Sequence, residues 1–379
     1  MLHKRVVIVG GGISGLACAQ TLKAMVPSTF KMEILLLEAS ARLGGQIDTQ
    51  HHAVNGERNC VIIEAGAEGF VTRSTVFPRV ADFAGLTESD MVQQARIADC
   101  ELQKEISAWR IHPLEPGLAA EKLGFQVPAE DRGRGIRSFK NGMSQLVDAI
   151  RPHIHKIELE SVARRIDMDI DSVSVHYDQN GSSRTMNADA VILATPLESM
   201  RKLLGNNFPN LHVPPLSHNS HVSIHLLTRK TSSSIRPSSF TVPEEIQSHF
   251  HGLRAVSFVN EKFADRCSPD SWLFRCYYRP ISPPFADEAI IWAERAKQML
   301  SDVFGIKEFS WYHYAPWQSA LPVISKEHLE LCTLLKQKTI AESNNRIFLI
   351  GSEVSGAGLE AAAKSGHDAA VDIISSWNI

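Results

Sequence analysis

Residues 5–22, RVVIVGGGISGLACAQTL, constrain what this chain can fold into more than any other stretch. Val6, Val7, Ile8 and Val9 form a short β-branched run of the kind that fills a parallel strand covered on both faces. Gly10, Gly12 and Gly15 follow as G-x-G-x-x-G. The first glycine allows a tight turn, the second lets the backbone approach a pyrophosphate, and the third lets helix and strand pack closely. Ile13 and Ser14 open a helix whose unpaired N–H groups and dipole favour a phosphate at its N-terminus. A second apolar run, residues 34–37, ends in Glu38, 23 residues after Gly15, where a carboxylate can accept the hydroxyls of an adenosine ribose. Strand, turn, helix, strand and acid in this order predict a dinucleotide-binding α/β fold.

A chain of 379 residues buries a large core and is long enough for two domains. Its formal charge of −3 and the lack of a long Lys/Arg block argue against a nucleic-acid partner. No run approaches the roughly 18 apolar residues needed to cross a bilayer, and residues 6–9 are too short a run for a secretory signal. The cysteines (Cys18, Cys60, Cys100, Cys267, Cys276 and Cys332) lie far apart without a C-x-x-C pair, which fits a reducing cytoplasm and gives no zinc pattern. Close histidine pairs, such as His153 and His155, His221 and His225, and His249 and His251, lack Cys or acidic companions at metal spacing, so no metal is expected.

After Glu38 and Ala39, Arg42 stands where a guanidinium can reach a phosphate, and Gly44, Gly45 and Gln46 let the backbone pass close to a flat ring system. This combination resembles the flavoprotein family of monoamine oxidases, phytoene desaturases and protoporphyrinogen oxidases, whose N-terminal signature is a strand, G-x-G-x-x-G, a strand, Glu and Arg-x-Gly-Gly. The resemblance implies that the dinucleotide is FAD, with its isoalloxazine at the boundary to a second domain. Residues 62–73 match the family's next segment, a strand, Glu-x-Gly and a loop passing the flavin. Gly66, Ala67 and Glu68 are its cofactor positions, with Ala67 where protoporphyrinogen oxidases usually have Pro; alone, the segment also reads as an ordinary hairpin turn. Val162 corresponds to a residue that contacts the adenine end through its main chain. Residues 346–370 resemble the closing motif, in which amides at a helix N-terminus meet the ribityl phosphate and flavin oxygens; Gly351, Ser352, Ala357, Gly358 and Leu359 are the matching positions. Ser352 and Glu353 depart from the Asp or Ala-Ser of many relatives.

The middle of the chain resembles the family less. Residues 108–116 look like its short hairpin, but the long helical insertion that follows in porphyrinogen and carotenoid-precursor oxidases is replaced by a polar loop, EDRGRGIRSFK. Arg132, Arg134, Arg137 and Lys140 in that loop suit either a substrate carboxylate or, as the plainer reading, solvent. Met143, Leu146, Val147 and Ile150 share one face of a helix. Strict alternation over residues 221–226 puts His221, Ser223 and His225 on one strand face, read first as a solvent-facing edge and otherwise as a substrate-contacting surface under a flavin. Tyr312, Tyr314 and Trp317 suit plain packing or an aromatic cavity.

The expected fold is therefore α/β. A Rossmann-type FAD-binding domain (parallel sheet with helices) comes from residues 1–73, 138–204 and 339–379. An α+β substrate domain with a mixed or antiparallel sheet comes from 74–137 and 205–338. By resemblance, FAD takes a hydride from a C–H next to nitrogen or within a reduced heterocycle, and dioxygen reoxidises it. Such a reaction requires no side-chain base, and no catalytic residue is assigned. The leading expectation is an oxidase or dehydrogenase acting on a compact small molecule. Protoporphyrinogen oxidation is the nearest alternative, a non-catalytic FAD-binding protein is another, and oligomeric state stays open. An NAD(P)H-dependent flavin monooxygenase is a further alternative, but the sequence has no second G-x-G-x-x-G at a strand–helix junction to hold nicotinamide.

Overall fold

A computed structural model describes residues 3–378 except 59, 96–98, 125–128, 170, 206, 209, 210, 231–237 and 281–288. The opening run forms the strand His3–Val9 at the centre of a five-stranded parallel sheet. Lys31–Leu37 and Ala190–Leu193 flank it, with Lys156–Glu158 and Ile347–Leu349 at the two edges. Val6 and Ile8 point into a core shared with the opening helix Ile13–Met25 and the closing helix Leu359–Ser376. Val7 and Val9 face the other layer, where the antiparallel strands Ser161–Met168, Val173–Gln179 and Ser182–Ala188 and the helix Leu197–Leu204 pack. Burial on both faces is why the strand carries no polar residue from Val6 to Val9. The two helices pack closely because Gly366 lies against the backbone of Ser14 and Cys18.

A second body is built on a seven-stranded mixed sheet. Its strands run in the order Trp311–Pro322, His218–Arg229, Ser271–Tyr278, Leu253–Phe258, Ser239–Thr241, Cys100–Lys104 and Trp109–Pro113. The helix Ala289–Phe304 covers one face, where Trp292, Met299 and Leu300 meet Val222, Ile224, Leu226 and Phe274. The alternate residues Leu227 and Leu273 turn the other way, onto the strand Val61–Glu64. The chain is thus a mixed α/β protein with a Rossmann-like parallel sheet and a separate mixed sheet. Among the described residues, no helix is long and apolar enough to cross a membrane.

Three sequence expectations are settled by this packing. The alternation of residues 221–226 is real, but its polar face is not a solvent-facing edge. His218–Arg229 runs between Trp311–Pro322 and Ser271–Tyr278, and Ser223 and His225 are 0% exposed. The basic loop is a surface of ion pairs, in which Arg132 meets Glu121 at 2.6 Å and Arg137 meets Glu88. Tyr312 is exposed beneath the Lys297 ammonium, whereas Tyr314, which packs toward the helix-covered core, and Trp317, which faces the parallel-sheet body, both line the cleft between the two bodies.

Candidate active site

The glycine turn is dictated by backbone crowding. Gly10 has φ 110°, and a Cβ there would lie 2.5 Å from the Ala194 carbonyl oxygen. A Cβ on Gly15 would overlap the Gly10 carbonyl oxygen. Gly12 differs. It is the N-cap of the opening helix, no side chain caps that end, and a Cβ on it would meet no atom within 4 Å. The start of the helix thus has no side-chain cap and open space beside Gly12. At the end of the neighbouring strand, Glu38 accepts the Gly11 N–H at 2.7 Å and the Ser40 N–H at 2.8 Å, one on each carboxylate oxygen. Each oxygen keeps a lone pair for a further donor. The Ser161 N–H donates to the Glu38 main-chain carbonyl at 2.8 Å, so Val162 follows directly after a contact with this strand end, and exposed Ala39 is next along the chain from Glu38.

Arg42 does not project freely. Its guanidinium donates to the carbonyls of Ile47 at 2.9 Å, Gly45 at 2.7 Å and Leu43 at 3.2 Å, so it staples its own loop. That loop crosses the opening turn, where the Gly44 N–H donates to the Gly11 carbonyl at 2.8 Å and Gly45 lies over Gly12. Gln46 Nε2 donates to the Ala320 carbonyl at 2.5 Å, tying the loop to the seven-stranded sheet.

The closing segment repeats the logic of the opening one. After Ile347–Leu349, Gly351 donates its N–H to Ser365 Oγ at 3.0 Å, and the single turn Ser352–Ser355 follows. Exposed Ala357 and Gly358 precede Leu359, the first residue of the closing helix. Gly358 caps this helix without a side-chain bond and would meet no atom within 4 Å. Glu353 instead ties the segment to its surroundings: it accepts the Leu197 N–H at 2.7 Å and pairs with His218 at 2.8 Å. Two uncapped helix ends with a carboxylate at the tip of the second strand are a donor and acceptor set suited to a dinucleotide, amides for phosphate and carboxylate for ribose.

Residues 65–69 form the wall between the two bodies. The Ala67 N–H donates to the Gln46 carbonyl at 2.8 Å, and Gly66 is pressed against the same carbonyl. From the sheet side, Trp317 Nε1 donates to the Ala65 carbonyl at 2.7 Å and Arg275 Nη2 to the Gly66 carbonyl at 2.7 Å. A cleft of about 330 Å³ opens beside this wall, lined by Arg42, Asp48, Gln50, Ala65, His313 and Trp317 among others. Burial, and then His52, hold the His313 imidazole below its usual pKa. Burial and then Arg275 bring His221 down to about 4, while the ring of His221 stacks on Trp317.

Behind the wall lie ionisable groups, of which sequence reasoning names Glu68 and misses Lys262, Arg266 and Arg275. Glu68 pairs with Lys262 at 2.8 Å. Burial would raise its pKa, but Lys262, Arg275 and Arg266 together hold it below the carboxylate norm. Glu64 accepts from Thr49 Oγ1 and the Met143 N–H, both at 2.8 Å, and lies 4.0 Å from Arg266. Burial outweighs these partners and lifts it to about 7. Arg266 and Arg275 are each 1% exposed. The available signal was a lone arginine inside the apolar run Ser271–Tyr278, a strand that must hide it.

Residues 8–85 match the family model for the NAD(P)-binding Rossmann-like domain, and residues 79–374 match that for flavin containing amine oxidoreductase. Coproporphyrinogen III oxidase of Bacillus subtilis (strain 168) is 38% identical over 84 residues, 22% of this chain and 17% of that protein. Its namesake in Mycobacterium bovis is 32% identical over 141 residues, 37% of this chain and 25% of that protein. The matched stretch thus spans a quarter or less of these relatives' length. In fold, the chain resembles a putative protoporphyrinogen oxidase from Exiguobacterium sp. 255-15 (TM-score 0.79, 19% identity, 100% of each chain covered). It also resembles cyclohexylamine oxidase from Brevibacterium oxydans IH-35A (TM-score 0.69, 13% identity, 100% of each chain). With most of its length matched by one model, the chain belongs to the flavin-containing amine oxidoreductase family.

Proposed function

We propose that the protein is an FAD-dependent oxidase or dehydrogenase that removes a hydride from a compact nitrogen-bearing molecule, an amine or a reduced heterocycle. Segments 1–73, 138–204 and 339–379 hold the cofactor, and 74–137 with 205–338 hold the substrate. Glu38 receives the ribose hydroxyls, and the uncapped amides at Ile13 and Ser14 receive the pyrophosphate. Those at Gly358 and Leu359 receive the ribityl and flavin oxygens. Arg42 acts by fixing the loop that brings Gly44 and Gly45 alongside. Bound FAD supplies a two-electron acceptor at the wall formed by residues 65–69.

The observation that carries the compact-substrate reading is the cleft of about 330 Å³ at that wall. Ligand pockets run from about 300 to 1,000 Å³, so this one lies at the small end. Trp317 lines it and is bonded across the junction to Ala65, as Gln46 is to Ala320. Asp48, bonded to Gln50 at 3.2 Å, and the unprotonated imidazole of His313 offer acceptors to a substrate N–H. We assign no obligatory base, take dioxygen as electron acceptor, and place the protein in the cytoplasm, where its free cysteines stay reduced.

A second reading, porphyrinogen oxidation, is favoured by the coproporphyrinogen III oxidases among the relatives. The deciding experiment incubates flavin-loaded protein with coproporphyrinogen III, with protoporphyrinogen IX and with a panel of amines and reduced N-heterocycles. It follows porphyrin fluorescence and oxygen uptake. Oxygen uptake with a small amine or heterocycle and no porphyrin supports the first reading; rapid FAD-dependent porphyrin formation replaces it with the second. A yellow protein bleached by no substrate would indicate an FAD-binding protein without turnover.

A further inference from the structure

The wall at residues 65–69 has an unbalanced charge behind it. Lys262, Arg266 and Arg275 face only Glu64 and Glu68 among the buried acids there. Glu64 carries only part of a negative charge near neutral pH, because burial lifts it to about 7. The surrounding imidazoles add nothing negative: burial, followed by Arg275, holds His225 and His221 in the neutral form. The excess is not spread evenly. Arg266 gives its N–H groups to Ser138 Oγ at 3.0 Å and the Phe139 carbonyl at 2.9 Å, and Lys262 is neutralised by Glu68. Among the described residues, no carboxylate lies within ion-pair distance of Arg275. Its Nη2 donates to the Gly66 carbonyl, its Nε to Ser223 Oγ at 3.2 Å, and its Nη1 is buried without a hydrogen-bond partner among the described residues. Its guanidinium carbon lies 4.4 Å from the centre of the Tyr277 ring.

Glu68 and Glu64 feel the Arg275 charge but are already matched with Lys262 and Arg266, and an ion this far from water with so little left to neutralise it is costly to keep, so a structure that keeps one can use its field. The field points through residues 65–66 toward the cleft that Ala65 lines. We propose that Arg275 is a positioning residue that sets the reduction potential of the bound flavin, its uncompensated charge favouring the reduced form over the oxidised one. This rests on the cofactor reading above. A hydride brings two electrons and one proton, so the flavin gains one negative charge on reduction and the substrate loses one. A fixed cation behind the wall stabilises the product of that transfer on the flavin side.

The test is a spectrophotometric redox titration of the flavin-loaded protein against a reference dye, without substrate, in wild type and three variants. Arg275→Met should shift the two-electron equilibrium at least tenfold toward the oxidised flavin, a potential about 30 mV lower. Arg275→Lys retains the charge while losing the guanidinium bonds to Gly66 and Ser223, and should stay within threefold of wild type. Glu68→Gln removes a negative charge and leaves Lys262 unpaired, so it should shift the equilibrium threefold or more the other way. An unchanged potential in Arg275→Met, or an equal drop in Arg275→Lys, would overturn the proposal. If Arg275→Met does not fold, a Glu68→Gln potential at or below wild type overturns it. A wild-type chain that takes up no flavin, visible as a missing yellow absorption before any titration, overturns the cofactor reading and this inference with it.

Discussion

The glycine cradle, made of residues 10–15, 44–46 and 351–359, and the inner face of the seven-stranded sheet meet at residues 65–69 but are built from different chemistry. The cradle works with backbone: uncapped helix ends, positive-φ glycines and one carboxylate at the tip of a strand. The sheet face works with side chains, and hides Ser223, His225 and Arg275 at 1% exposure or less. Backbone sites tolerate almost no added volume, because what they bind or pack against must come within contact of the main chain. Buried side-chain sites tolerate volume changes better than changes of charge. The two regions should therefore fail in different ways when perturbed.

The largest effect is expected in the cradle. Gly15→Val places a branched side chain where even a Cβ overlaps the Gly10 carbonyl oxygen and lies 3.1 Å from Ile8 Cγ2. Neither the turn nor the central strand can yield, so a loss on the order of 4 kcal/mol or more should appear in urea unfolding of the flavin-free chain. Gly366→Ala probes the same packing from the closing helix, where the methyl would meet the Ser14 carbonyl oxygen and the Cys18 amide. Wild-type unfolding midpoints for both variants would show that the two helices do not need their close approach.

On the sheet side, the effect should depend on pH. The folded pKa of Glu64 is about 7 against 4.5 for the free side chain, raised by burial. Between those values the unfolded chain releases the proton while the folded chain keeps it. The contribution of Glu64 to stability is thus fully present below pH 4.5 and is lost as pH rises through 7, an effect on the order of 3 kcal/mol. Glu68, held low, contributes in the opposite sense and loses its contribution as pH falls. Glu64→Gln isolates the first term: its unfolding free energy should fall less than that of wild type between pH 5 and 7.5. Parallel curves would mean that Glu64 is ionised in the folded protein at the lower pH.

These two regions were not equally legible. The cradle's motifs lie within short stretches, so the strands at residues 6–9, 34–37 and 190–193 and the Glu38 tip follow from local pattern. Even there the sequence misleads about Arg42, whose guanidinium closes its own loop because three carbonyls lie within its reach. The strand Lys156–Glu158, which supplies a sheet edge, has too little periodicity to announce itself. For residues 221–226 the alternation was readable but the burial was not. Whether a polar face meets water depends on strands paired from far along the chain, here Ser271–Tyr278 and Trp311–Pro322. Arg275 acquires meaning only when that pairing sets it behind Gly66.

Glu360 gives a smaller test on the cradle side. Its carboxylate accepts the N–H groups of Thr75, Val76 and Phe77 at 3.0, 3.0 and 2.8 Å, so the closing helix caps the start of the helix Val76–Phe83. Charged hydrogen bonds of this kind support a loss of about 2 kcal/mol in Glu360→Ala. Glu360→Gln should recover part of it, since an amide oxygen still accepts. Equal losses in the two variants would assign the effect to charge alone.

The smallest stability change is expected at Gly12, and it is the most discriminating result. Its φ of −73° and ψ of 176° suit alanine, and a Cβ there meets nothing within 4 Å. Gly12→Ala should therefore unfold within about 0.5 kcal/mol of wild type when flavin is absent. If the open space at this helix end is where a pyrophosphate approaches the backbone, the added methyl occupies that approach. FAD affinity should then fall at least tenfold, about 1.4 kcal/mol. Gly15→Val cannot make this distinction, because it removes the fold together with any site the fold carries. Unchanged flavin affinity in Gly12→Ala would place the phosphates elsewhere and leave the opening turn a packing device alone.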